Sequence, residues 1–127
     1  MRNARTFLVV ASVFGLNGVA FGAFGAHALK QRLSPEMLSA FETGVRYQLI
    51  HALALFVASW GASFKNDTVF RVAAWLFIVG VMLFSGSLYT VALTGLTTFG
   101  IVTPFGGLAF LGGWLLLARG FWVGFSH

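Results

Sequence analysis

A chain of 127 residues that is 58% hydrophobic and only 9% charged cannot cover a water-facing surface, since soluble domains carry about 25% charged residues. Its formal net charge of +5 comes from Lys and Arg scattered singly along the sequence, without the clustered stripe that nucleic-acid phosphates require, so nucleic acid is excluded as a partner. With no cysteine, disulfides, thiolate metal sites and cysteine nucleophiles are excluded as well.

The mean hydropathy is +0.89, and it is concentrated in four apolar segments at about 6–28, 47–64, 70–93 and 104–125. Each is close to the roughly 20 residues that cross ~30 Å of hydrocarbon as a helix. The expected fold is an all-α integral membrane protein: one domain over 1–127, built as a four-transmembrane-helix bundle. A short amphipathic interfacial helix at about 35–46 joins the first two spans.

The first segment begins after Arg2 and Arg5 and ends at Ala26-His27-Ala28, which resembles a signal-peptide cleavage site. Its apolar run is longer than the 7–15 residues or so of a signal peptide's hydrophobic region, so it is expected to be retained. Gly15, Gly18, Gly22 and Gly25 recur at helical spacing and form a seam on which a neighbouring helix can pack closely. Asn17, a lone amide in mid-span, is expected to bond across to another helix.

Ser34-Pro35-Glu36 reads as a helix start, with Ser34 as N-cap, Pro35 as first residue and Glu36 set against the helix dipole. Met37, Leu38, Phe41 and Val45 then share an apolar face suited to a membrane surface. Glu42 and Arg46 stand four apart and are a candidate interfacial ion pair.

The later spans repeat the small-residue pattern: Gly44, His51, Ala54, Ala58 and Gly61; then Ala73, Gly80, Ser87 and Thr94; then Gly106, Gly113 and Gly120. Steps of seven imply left-handed packing at shallow angles. Gly18-x-x-x-Gly22 and Gly120-x-x-x-Gly124 also fit oligomer contacts.

Four spans put Arg2, Arg5, Lys65, Arg71 and Arg119 on one side and Lys30, Arg32 and Arg46 on the other. The excess of basic residues favours both termini in the cytoplasm. With that topology His27, Tyr47, Gln48, His51, Ser85, Ser87, Tyr89 and Thr103 form a candidate polar cluster toward the non-cytoplasmic face. His51 lies on the small seam of its helix and so points into the bundle. An ionisable residue there is costly and is a functional candidate, weighed against a neutral histidine that fixes helix register. His127 is terminal and carries no argument.

Five motifs occur in order: Gly22-Ala23-Phe24-Gly25-Ala26-His27, Phe41 to Gln48, His51-Ala52-Leu53-Ala54-Leu55, Phe84-Ser85-Gly86-Ser87-Leu88-Tyr89, and Thr103 to Gly107 with Gly113-Trp114. Together they resemble the domain-of-unknown-function-423 family of small bacterial inner-membrane proteins, over nearly the whole chain. The resemblance implies a polytopic membrane protein with its first span kept. It lends no activity and no catalytic residues.

No catalytic, cofactor-binding or metal-ligand set is read from the sequence, and an enzyme is not the expectation. The expected role is structural, in interaction or membrane homeostasis, with the lipid bilayer as partner and copies of itself or other membrane proteins as candidates. The alternative is an oligomeric small-molecule or ion transporter or channel using the polar cluster. Its acids, Glu36, Glu42 and Asp67, lie in or near loops, which counts against a proton-coupled exporter with a buried carboxylate. A haem or metal site on His27 and His51, with Glu42, is a third class. It is disfavoured by the dense glycine seams and by Glu42 projecting on a different face from His51.

Overall fold

A computed structural model describes residues 2–65 and 68–124, without the side chains of residues 2, 3 and 65. The sequence arguments that use Asp67, His127, the last residue of the fourth span and the side chains of Arg2 and Lys65 lie outside the described residues. The described chain is helical and contains four helices long and apolar enough to cross a membrane: Ala4–Leu29, Pro35–Phe64, Thr68–Thr94 and Thr97–Gly124. This is an all-α membrane bundle, because a helix satisfies its backbone polar groups within itself and needs no water to do so.

The first span consists of α1 (Arg2–Ala20), a π-helical turn (Phe21–Gly25) and α2 (Ala26–Leu29). The second is α3 (Pro35–Lys65). The third consists of α4 (Thr68–Gly80), a second π turn (Val81–Ser85) and α5 (Gly86–Thr94). The fourth is a 3₁₀ turn (Thr97–Ile101) leading into α6 (Thr103–Gly124). The stops are local. Ser34 Oγ accepts the Met37 N–H at 3.2 Å and caps α3 as expected. Gly95, at φ +74°, ends α5 in the left-handed conformation that glycine adopts without cost, its N–H on the Val91 carbonyl at 2.8 Å.

The structure differs from the expected boundary at 46/47. Residues 35–46 and the second span form one uninterrupted helix of 31 residues, because Gly44, the weakest helix former near the junction, is packed against Tyr89 and Leu88 and no proline follows Pro35 in the helix. Such a helix is about 46 Å long, well beyond ~30 Å of hydrocarbon, so one end projects past the core of the bilayer.

The main contacts run from α1 to α3, from α3 to α4 and α5, and from α4 to α6. Spans two and three therefore form the centre and spans one and four the flanks. Two apolar clusters result. The larger includes Phe7, Ala58, Phe70, Phe77, Phe110 and Leu117, and the smaller centres on Phe41, Val45 and Ala92.

The small seams are filled by aromatic rings from the facing helix. A Cβ added to Gly106 would meet the backbone of Phe84, one added to Gly113 the Phe77 ring, and one added to Gly120 the Phe70 ring. Phe70, Phe77 and Phe84 advance by seven while Gly120, Gly113 and Gly106 retreat by seven. This is an antiparallel register in which the Phe70 and Phe77 rings enter the holes left by missing side chains and the Phe84 backbone closes on Gly106. Phe110 reciprocates by filling the space at Gly80. In the first span Gly18, Gly22 and Gly25 face Leu49, Val45 and Phe41, whereas Gly15 faces open space. Thr94 is also exposed, so neither Gly15 nor Thr94 belongs to a packed seam.

Gly106 is the position where backbone meets backbone. Gly106→Ala is expected to lower unfolding stability in detergent or bicelles by about 1–3 kcal/mol. Gly107→Ala, which points into open space, should change it by less than about 0.5 kcal/mol. Equal effects of the two substitutions would contradict the packing described.

Candidate functional site

The face of α3 that carries Gly44, Gln48 and His51 turns toward the other three spans. Gln48 and His51 are 4% and 3% exposed, so in a bilayer their polar atoms must be satisfied inside the protein. The Gln48 amide does this in two directions. Nε2 donates to the Phe14 carbonyl of α1 at 2.8 Å, and Oε1 accepts from the Tyr89 hydroxyl of α5 at 2.7 Å. One turn earlier, the Gly44 carbonyl accepts from Ser85 Oγ of the second π turn at 2.6 Å. One turn later, His51 reaches the fourth span: Trp114 Nε1 donates to His51 Nε2 at 3.0 Å.

That last bond fixes the tautomer. An indole N–H only donates, so Nε2 is the acceptor and carries no proton. The imidazole proton is therefore on Nδ1, which donates to the Tyr47 carbonyl at 2.8 Å. The ring is further held flat against Phe110, with centroids 3.6 Å apart and planes 8° from parallel. Between the third and fourth spans, Ser87 Oγ donates to the Phe84 carbonyl at 2.9 Å and is joined to Thr103 Oγ1. With the Ser87 proton committed to Phe84, Thr103 is the donor of that pair.

The polar residues of the expected cluster thus divide. Gln48, His51, Ser85, Ser87, Tyr89 and Thr103 lie in a belt of hydrogen bonds that ties the second span to each of the others and the third to the fourth. Tyr47 enters through its carbonyl, and its ring lies tilted beside Phe84, with centroids 4.6 Å apart. His27 stands apart: it is exposed, and it lines a different cleft, beside Lys30, Glu42 and Arg46. Glu42 and Arg46 face that cleft together, but among the described residues no ion pair joins them. Asn17 is exposed on the outward face of α1 and, among the described residues, makes no bond to another helix, which corrects the expectation of an interhelical amide.

No buried side-chain nitrogen or oxygen among the described residues lacks a hydrogen-bond partner. Beside the belt, a cleft of about 550 Å³ between α3 and α6 is lined by Tyr47, His51, Phe84, Phe110 and Trp114 together with Pro104 and apolar neighbours. His27 and His51 open onto separate clefts, a poor arrangement for two axial ligands on one haem. Among the described residues no group of three or more His, Asp or Glu is placed to hold a metal ion.

Residues 21–107 match the family described as a protein of unknown function, DUF423. The chain belongs to the DUF423 family. It is 38% identical over 115 residues to the UPF0382 membrane protein YwdK of Bacillus subtilis, covering 89% of this chain and 93% of that one. It is 40% identical over 113 residues to the UPF0382 membrane protein SH2409 of Staphylococcus haemolyticus, covering 89% and 92%. With the UPF0382 inner membrane protein YgdD of Escherichia coli it shares 37% identity over 117 residues, covering 92% and 89%. No solved structure matches. The segment matched to DUF423 runs from the first π turn to Gly107 and so contains the belt residues Gln48, His51, Ser85, Ser87, Tyr89 and Thr103. The contributions from Phe14 and Trp114 lie outside it.

Trp114 is the member of the site that the sequence reading did not place there. Tryptophan in a span is ordinarily a lipid or interface residue, and Trp114 does keep nearly half its surface exposed. Its spacing of seven from Gly107 and one from Gly113 was the available signal. Ser59 was also passed over. It is fully buried and bonds back to the Leu55 carbonyl of its own helix at 2.6 Å, so it adds nothing across the bundle.

The link from Tyr89 to Gln48 gives a direct test. In a double-mutant cycle, Tyr89→Phe and Gln48→Leu are expected to couple by about 0.6–1.7 kcal/mol, the range of interhelical hydrogen bonds in membranes. Additive losses in unfolding stability would contradict a bond between them.

Proposed function

We propose that this DUF423 protein is a structural module of the bacterial inner membrane, with both termini in the cytoplasm, and that its polar belt locks helix register rather than binding a transported substrate. The observation that carries the reading is the closure of the belt: among the described residues, the buried polar side-chain atoms that a substrate would need already have hydrogen-bond partners within the protein. A transport site keeps polar groups free for its ligand and offers a polar route to both faces. Here the belt is succeeded along the bundle by a core of Phe, Leu and Ala at Phe7, Ala58, Phe70 and Leu117. The cytoplasmic placement of the termini is supported by the excess of basic residues in the sequence, Arg2, Arg5, Lys65, Arg71 and Arg119 on one side against Lys30, Arg32 and Arg46 on the other, and the inner membrane as location by the name of the Escherichia coli relative.

Two measurements test the reading. In proteoliposomes the protein is expected to pass protons and potassium no faster than protein-free vesicles. A flux that disappears in His51→Ala while the folded helical content is retained would overturn it. Because the chain has no cysteine, single cysteines report topology cleanly. Gln31→Cys should react with a membrane-impermeant maleimide from the periplasmic side, and Thr68→Cys only after the membrane is opened. The reverse pattern would contradict the orientation.

A further inference from the structure

The belt does not involve the cleft of about 510 Å³ on the other flank, where the end of the first span faces the beginning of α3. Its rim carries His27 and Lys30 from one side and Glu42 and Arg46 from the other, and its floor is apolar, with Gly22, Val45 and Leu49. Lys30 and Arg46 bring two positive charges against one from Glu42, and His27 adds to the positive side when protonated. Among the described residues none of these four side chains is engaged in an ion pair or a hydrogen bond with another. The cleft therefore holds an uncompensated positive charge of one unit or more.

The polarity changes with depth. Lys30 follows directly on Leu29, the last residue of α2 and of the first membrane span, which puts the rim at the level of lipid headgroups. Gly22 lies two turns further into the span, level with the hydrocarbon, and Val45 faces it. The Arg46 backbone therefore stands at that depth, and its long side chain must extend toward the headgroups to meet a phosphate. The π turn at Phe21–Gly25 accounts for the alignment. One extra residue in a turn rotates everything after it by about 100° relative to a regular α-helix, and it is the rotated segment that presents His27 and Lys30 to α3.

We propose that this cleft binds an anionic phospholipid from the surrounding leaflet, with the phosphodiester between Lys30, Arg46 and His27 and an acyl chain over Gly22, Val45 and Leu49. The charge on the rim selects a headgroup with net negative charge over a zwitterionic one, and the apolar floor selects an amphiphile over a soluble phosphate. Glu42 opposes the anion and sets the strength of the preference. The proposal goes beyond the structural role assigned above and does not depend on it, nor on which leaflet the cleft faces.

The test is lipid binding to the whole purified chain, measured by native mass spectrometry or by titration in detergent, with phosphatidylglycerol and phosphatidylcholine as probes. The phosphatidylglycerol preference is expected to fall about 5-fold in Lys30→Gln and about 25-fold in the double variant Lys30→Gln/Arg46→Gln. These values correspond to roughly 1 kcal/mol per basic residue near a membrane surface. Glu42→Gln should change it the other way, raising the preference about 5-fold, which a misfolded protein would not do. Arg5→Gln, at the far end of the first span, should leave it unchanged. Glycerol 3-phosphate at millimolar concentration should fail to displace the lipid. Equal binding of the two lipids, an insensitive preference in the double variant, or displacement by the soluble phosphate would each overturn the proposal.

Discussion

Inside a bilayer a polar side chain has no water to fall back on, and the Gln48 amide meets that constraint by bonding to two helices at once. Its NH₂ group takes the Phe14 carbonyl and its oxygen takes the Tyr89 hydroxyl, so neither the first nor the third span can slide along α3 without stranding a polar atom in hydrocarbon. The Gly44 carbonyl and His51 extend the same logic one turn to either side. Burial of apolar surface by itself favours no register in lipid, because lipid tails are as apolar as the helix faces. The hydrogen bonds and the close contacts at the glycines supply that discrimination together.

Packing then sets how close the helices come. Rings at Phe70 and Phe77 enter the gaps at Gly120 and Gly113, and the Phe84 backbone lies against Gly106, which holds α6 against the third span in one antiparallel register. The second π turn belongs to this arrangement: it contains both Phe84, whose backbone lies against Gly106, and Ser85, whose hydroxyl reaches Gly44. One local expansion of the helix thus serves the aromatic zipper on one side and the polar belt on the other.

Much of this was legible in the sequence, and the remainder was not for definite reasons. Span lengths, the Ser34-Pro35 helix start and the heptad of glycines in the fourth span are periodic or local signals. The aromatic partners of those glycines are equally periodic. They become visible only when two helices are read against each other, since a phenylalanine in a single span looks like a lipid-facing residue. The π turns leave no compositional mark, because the insertion of a single residue hides within ordinary helical spacing. That hidden rotation also separates His27 from His51: similar depth in the membrane does not imply the same side of α3. Asn17 differs in the other direction: a lone mid-span amide points to an interhelical bond in sequence, yet it stands on the exposed face of α1.

The account depends on the belt being closed, and the protonation of the His51 ring is its most exposed link. Nitrogen-15 NMR of histidine-labelled protein in bilayers reports which ring nitrogen carries the proton. The account predicts a neutral ring with the proton on Nδ1 and Nε2 as an acceptor, with Nε2 perturbed by Trp114→Phe. A proton on Nε2 in the native protein would contradict the Trp114 bond and, with it, the closure of the belt.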